Sequence, residues 1–341
     1  MSCRRRTAET ATTEPLAPLI RRVPALASLP RVSLGRYPTP IERIALPSHR
    51  GDLWIKRDDL GADTLGGNKV RALEVLLGGI RPGERVGTLG PRGSTHALAT
   101  AIHAGRLGAR VSVIAWPQPE TSVSTAIWRA TRSHADARSV PMVLAPIAAM
   151  WLRMRSDRWI PLGGSSAAGT LGHVSAALEL AEQVEAGTMP EPARIVVALG
   201  SGGTAAGLAL GAALAGLSTE IVAVRVGPRI ASHARRVRSL AAGAAALIRA
   251  AGGSVTVGRL GVRVVHAFYG GAYGRVTTAG HAATTTLESA HGIRLDPTYT
   301  AKAFAGALAE SGAGATLFWN TFDARALEAV APDAASRHSP A

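Results

Sequence analysis

Short runs of β-branched and aliphatic residues alternate with longer Ala- and Leu-rich stretches from about residue 30 to residue 330. RVGTLG (85–90), RVSVIAW (110–116), RIVVALG (194–200) and EIVAVRV (220–226) are too short and too uniformly apolar for surface helices, and they predict buried strands. THALATAIHAGRLG (95–108), TLGHVSAALELAEQV (170–184) and TAAGLALGAALAGL (204–217) predict helices. Strands alternating with helices predict an α/β architecture with largely parallel sheets. There is no internal repeat and no heptad pattern. Residues 1–30, polar and rich in Pro and Arg, are expected to form a flexible leader, and residues 331–341 a short tail.

Two strand-to-helix junctions carry small residues. Strand 85–89 runs through GPRGST into a helix from about His96, and strand 195–199 runs through GSGGT into a helix from about Ala205. Such junctions are where α/β proteins bind anions, because helix amides and the positive end of the helix dipole point outward there. In Gly200-Ser201-Gly202-Gly203-Thr204 the glycines free backbone N–H groups to face a phosphate, and Ser201 and Thr204 add hydroxyls. A plain Gly-rich turn is the structural alternative. A dinucleotide fingerprint is excluded, because Glu220 precedes the strand IVAVRV instead of ending one. No P-loop lysine follows the glycines. At the first junction Ser94 suits contact with a substrate carboxylate, and equally suits a helix cap, as does Thr95.

Composition narrows the chemistry. Apolar residues make up 47% of the 341 residues, enough for a large core. No apolar run approaches the ~20 residues of a membrane helix. The single cysteine, Cys3, excludes disulfides and multi-cysteine metal sites, and no metal site is expected; the usage fits a cytoplasmic protein. A net charge of +15 raises the possibility of nucleic-acid binding, but the arginines are scattered and form no continuous stripe, so anionic small ligands explain the surplus better. Of 38 basic residues only Lys56, Lys69 and Lys302 are lysines. Arg is no practical Schiff-base former, whereas a Lys amine can lose its proton and attack a carbonyl. Lys69 follows Gly66-Gly67-Asn68 at a helix start, where the dipole disfavours a cation.

YPTPIERI (37–44), LWIKRDDL (53–60), LGGNKVRALE (65–74), GSGGTAAGL (200–208), GAYG (271–274) and LDPTYTAKAF (295–304) stand in the order found in one family. The chain resembles the family of D-cysteine desulfhydrase and 1-aminocyclopropane-1-carboxylate deaminase over about residues 36–322. The resemblance implies a two-domain fold-type II pyridoxal-phosphate enzyme, tryptophan synthase β-like. Its large domain would comprise residues 30–71 with 166–330, and its small domain residues 72–165. Lys69 would hold pyridoxal 5'-phosphate as a Schiff base, with Asn68 beside it. Lys56 belongs to the signature or is a structural surface residue. Gly200, Ser201, Gly202, Gly203 and Thr204 would cradle the phosphate. Ser94 would lie by the substrate, Tyr273 and Tyr299 would be active-site tyrosines, and Thr300 would partner the pyridine nitrogen.

Four departures mark a divergent subfamily. Thr95 stands for the usual Asn that contacts the cofactor ring oxygen, and Gly93 for Gln. Gly270-Gly271-Ala272-Tyr273-Gly274 replaces Gly-Pro-Gly-Tyr-Gly, and Asn320-Thr321-Phe322-Asp323 replaces His-Thr-Gly-Gly. The implied activity is α,β-elimination from a small amino acid, giving a 2-oxo acid and ammonia, in a cytoplasmic homodimer. Ring-opening deamination is the alternative, less expected because Thr300 stands where cyclopropane deaminases carry Glu. A cofactor-binding protein without chemistry is a further alternative.

Overall fold

The computed structural model describes residues 14–46, 49, 51–255, 258, 260–310, 312–322 and 324. Cys3, Asp323 and the expected tail lie outside them. The strands are β1 (Ile41–Ile44), β2 (Leu53–Lys56), β3 (Arg85–Pro91), β4 (Arg110–Trp116), β5 (Asp136–Ser139), β6 (Arg158–Trp159), β7 (Pro192–Leu199), β8 (Glu220–Arg225), β9 (Val262–Val265) and β10 (Ala315–Trp319). The helices are α1 (Ala17–Arg22), α2 (Asn68–Leu76), α3 (Thr95–Arg106), α4 (Ser122–His134), α5 (Ala145–Arg155), α6 (Ala167–Glu185), α7 (Gly203–Ala215), α8 (Ala234–Ala250), α9 (Thr278–His291) and α10 (Thr300–Ala309).

The strands form two sheets. One has six strands in the order β1-β2-β10-β7-β8-β9, parallel except for the antiparallel β1–β2 pair. The other has four parallel strands in the order β5-β4-β3-β6, all drawn from residues between 85 and 159. The six-stranded sheet is buried on both faces, and this is why its strands read as unbroken apolar runs. Ile195, Val197 and Leu199 of β7 pack into a core with α6, α7 and α8. Val196, between them, points to the opposite core with Phe304 of α10 and Phe318 of β10. A third core joins α2, α3 and α4 to the small sheet.

Residues 17–28 differ from the flexible leader expected there. They form α1 and a short 3-10 turn at Pro24–Ser28, with Leu19 wholly buried in the core against α6. Three apolar side chains, Leu16, Leu19 and Val23, recur at helical spacing and anchor this segment.

A buried ion network fixes α2. Arg71 pairs with Asp58 (2.7 Å) and Glu179 (2.9 Å), and Lys56 pairs with Glu179 (2.6 Å). Trp319 Nε1 donates to Asp58 (2.9 Å). Burial alone would push the Glu179 carboxyl up, but Arg71 and Lys56 hold it at about 2. Lys56 is therefore no surface residue; it is fully buried and also donates to the Thr39 carbonyl (2.7 Å). Arg71 lies two residues, or ~200° around the helix, from Lys69. Pinning Arg71 inward thus turns Lys69 to the other side.

Candidate active site

That other side is a cavity of about 480 Å³. It receives residues from both sheets: Lys69 at the start of α2, Ser94 and Thr95 at the start of α3, the Gly200–Thr204 loop after β7, and Tyr273 and Tyr299.

Lys69 is half-buried and makes no hydrogen bond or ion pair with a described residue. Burial pulls its amine down to about 8, so a sizeable fraction is neutral near physiological pH. Desolvation is the cause here, where the sequence pointed to the helix dipole. Its positive charge also acts outward: burial first, and then Lys69, hold His96 and His173 at about 3, so both are neutral. The backbone before Lys69 is constrained by a close neighbour. A Cβ on Gly67, whose φ is +112°, would lie 2.5 Å from the Thr321 carbonyl. Asn68 N donates to that same carbonyl (3.0 Å). The Gly-Asn-Lys order therefore lets the chain end of β10 run alongside α2.

Neither other lysine reaches the cavity. Lys302 is buried and donates to the Tyr269 carbonyl (2.9 Å), with burial pulling it to about 8.

The Gly200–Thr204 loop opens α7 without a side-chain cap. Gly202 has φ +95°, which an L side chain rarely adopts, and all five residues of the loop line the cavity. Ser165 Oγ contacts Ser201 Oγ (2.7 Å) and accepts from Gly203 N (3.1 Å). Ser232 Oγ donates to the Gly200 carbonyl (2.7 Å), and Asn68 Nδ2 donates to Thr204 Oγ1 (2.7 Å). Asn68 thus ties the phosphate-type loop to the helix of Lys69. A helix start without a cap of its own, a glycine in the left-handed region and two hydroxyl residues in one cavity with a lysine suit a phosphate-bearing aldehyde. Glu220 begins β8 and pairs with Arg263 (3.0 Å), as the rejection of a dinucleotide site requires.

Ser94 lines the cavity and also caps α3, accepting from Ala97 N (3.2 Å). Tyr273 and Tyr299 have their hydroxyls in hydrogen-bond contact, rings edge-to-face at 5.9 Å, and Thr95 also contacts Tyr299. Burial raises both phenols, Tyr299 to about 12, so both are protonated. Thr300 stands apart from this group. It is fully buried, and its hydroxyl donates to Asp296 Oδ2 (2.7 Å) at the start of α10. Thr321, which the sequence showed only within the departed Asn320-Thr321-Phe322-Asp323 block and without a role, lines the cavity instead, together with Phe322, Gln118 and Tyr269.

Gln118 explains one departure. Its Oε1 accepts from Gly93 N (3.1 Å), and a Cβ on Gly93 would lie 2.6 Å from its Nε2. A glutamine from the end of β4 thus fills the room beside Gly93, where the resembled family carries its own Gln. Ser165 had a legible signal: PLGGSSAAG (161–169) is a third small-residue junction opening a helix.

A family model for pyridoxal-phosphate dependent enzymes matches residues 32–315. The chain belongs to that family. Pyridoxal phosphate is therefore its cofactor. Among relatives, the nocardicin C-9' epimerase of Nocardia uniformis subsp. tsuyamanensis is 36% identical over 88% of this chain and 94% of its own. A D-cysteine desulfhydrase of Yersinia enterocolitica is 33% identical over 83% of this chain and 88% of its own. A putative 1-aminocyclopropane-1-carboxylate deaminase of Pyrococcus furiosus is also 33% identical, over 83% and 87%. The crystal structure of an ACC deaminase homologue superposes with a TM-score of 0.74 at 31% identity, covering 90% of this chain and 98% of that one. The processed form of threonine deaminase isoform 2 from Solanum lycopersicum, at 17% identity and a TM-score of 0.58 over 95% of this chain and 90% of that one, shares the fold. The pyridoxal-phosphate enzyme is thus of fold-type II. No described helix is long and apolar enough to cross a membrane.

Proposed function

We propose that this pyridoxal-phosphate enzyme removes the α-proton of a small amino acid and eliminates a group from Cβ, releasing a 2-oxo acid and ammonia, with a cysteine-like substrate foremost. One observation carries the reading: of three lysines, Lys69 is the one whose amine opens into a cavity shared with the Gly200–Thr204 loop. When bound, the cofactor supplies an electron sink for the α-carbon. Lys69 holds it and, once freed, takes the α-proton at Nζ, for which an amine near 8 is suited. Gly200, Ser201, Gly202, Gly203 and Thr204 hold the phosphate. Ser94 and the start of α3 orient the substrate carboxylate. Tyr273 or Tyr299 donates a proton to the leaving group. The neutral hydroxyl facing the cofactor is that of Thr321, since the hydroxyl of Thr300 is bound to Asp296. A division into two domains, 72–165 against 30–71 with 166–330, belongs to the same proposal, and the separation of the strands into two sheets supports it.

The same α-proton transfer serves a second reading, epimerisation. The Tyr273–Tyr299 hydroxyl pair supplies a second proton carrier in the cavity, and the relative from Nocardia is named an epimerase. One experiment separates the two. Cofactor-loaded protein in D2O is given D- and L-amino acids, including cysteine and chloroalanine. Elimination gives 2-oxo acid and ammonia; epimerisation gives deuterated substrate of the opposite hand. Lys69→Arg should abolish both, along with the visible absorbance of bound cofactor, and a fully active Lys69→Arg protein would end the proposal.

A homodimer belongs to the same proposal. Val143, Ile147, Met150, Trp151 and Met154 are exposed at helical spacing on one face in and just before α5, and contiguous exposed apolar side chains mark a contact surface. A second copy is its proposed occupant. A cytoplasmic location is also proposed, on the ground that one cysteine in 341 residues suits a reducing compartment.

A further inference from the structure

The cavity has two chemically distinct ends. The inner end is polar, with Lys69, Ser94, Thr95, Ser201, Thr204 and Thr321. The mouth is apolar. Trp116, Pro117 and Pro119 come from the end of β4, Met142 from the turn before α5, and Ile230 from the turn after β8. Both sheets therefore contribute apolar side chains to one rim. Met142 is 62% exposed and Ile230 is 87% exposed. Single exposed apolar residues need no explanation, but here several border one opening.

The reacting α-carbon must sit within roughly 3–3.5 Å of the Lys69 amine. A cysteine-sized side chain ends one atom beyond Cβ and stays at the inner end, leaving the rim in water. A side chain several carbons longer extends the ligand toward Trp116, Met142 and Ile230 and removes that surface from water. We infer that, beyond the small amino acids proposed above, the cavity accepts amino acids with an elongated apolar side chain whose far end packs against the Met142–Ile230 rim. This inference rests on the amino-acid chemistry proposed above and deepens it.

The test uses cofactor-loaded protein titrated with D- and L-alanine, norleucine and homophenylalanine, read by the change in cofactor absorbance and by α-proton exchange in D2O. Each buried methylene is worth roughly fourfold in affinity, so homophenylalanine of one hand should bind at least tenfold tighter than alanine. Ile230→Asp and Met142→Asp alter exposed positions and leave the core untouched. Each should cut the homophenylalanine-to-alanine affinity ratio at least fivefold. A ratio near one in the wild type, or a ratio unmoved in both variants, overturns the inference while the chemistry at Lys69 stands. No absorbance change or exchange with any of these amino acids, or with cysteine and chloroalanine, overturns the proposed function and this inference with it.

Discussion

Burying Lys69 should cost the cofactor-free protein stability at neutral pH, and the cost should fade as pH rises. An amine at about 8 in the folded protein, against 10.5 for the ordinary group, lies below its unfolded value. Between those values the unfolded chain binds more protons, so stability rises with pH through this window. At 1.36 kcal/mol per unit the full penalty at pH 7 is about 3.4 kcal/mol, and the cavity's water offsets part of it, leaving roughly 1.5–3 kcal/mol. At pH 9.5 less than half remains, because the folded amine is already neutral and the cost of the proton it lacks shrinks as pH nears the unfolded value. Lys69→Met keeps most of the length and removes the titration. Urea unfolding of cofactor-free wild type and variant at pH 7 and pH 9.5 measures the difference, which cancels the groups Lys69 does not touch, while His96 and His173, which it does, are neutral at both pH values. The variant should be the more stable by that margin at pH 7 and by less than half of it at pH 9.5. A difference that is independent of pH, or a variant less stable at pH 7, would refute the claim that burial sets the amine's basicity. The choice of Lys69 would then rest on its place in the cavity alone.

Two further outcomes are expected. Gly202→Val forces a branched side chain into φ +95° at the uncapped start of α7; pyridoxal-phosphate affinity by equilibrium dialysis should fall at least tenfold with the far-ultraviolet circular dichroism retained, and unchanged affinity would leave the loop as a plain turn. Ile147→Asp with Met154→Asp should convert a micromolar dimer to monomer in sedimentation equilibrium, whereas a wild type that is already monomeric would remove the proposed contact.

What the sequence made legible was whatever depends on neighbouring residues. The apolar runs gave β3, β4, β7 and β8 to within one or two residues, because a strand buried on both faces must be apolar throughout. Lys69 stood out because it shares its chain with only two other lysines and follows Gly66-Gly67-Asn68 at a helix start, whereas the crowding of those glycines by Asp59 and Thr321 shows only in the fold. α1 was missed because a six-residue helix has too few apolar positions to outweigh its prolines and arginines. Leu19 is held by packing on α6, some 150 residues away.

Thr300 and Thr321 show the harder limit. In sequence both are threonines close to family-like blocks, and only Thr300 has a carboxylate four residues before it. Asp296, four residues before Thr300, decides the matter: its carboxylate accepts from the amides of Thr298, Tyr299 and Thr300 and from the Thr300 hydroxyl. That is a helix start satisfying its own orphan donors, and it uses up the hydroxyl that a cofactor would need. Thr321 gains its place from the opposite kind of relation, since its carbonyl is held by Asn68, some 250 residues earlier, and its segment borders the helix of Lys69. Gln118 beside Gly93 is the same relation again: a side chain missing at one position is replaced in space by one from another strand. A motif compared position by position counts Gly93 as a loss. The cavity, which registers only what occupies it, keeps an amide there. Departures from a family pattern therefore bear on chemistry only after the neighbours of each departed position are known, and at Gly93 the neighbour restores an amide to the site.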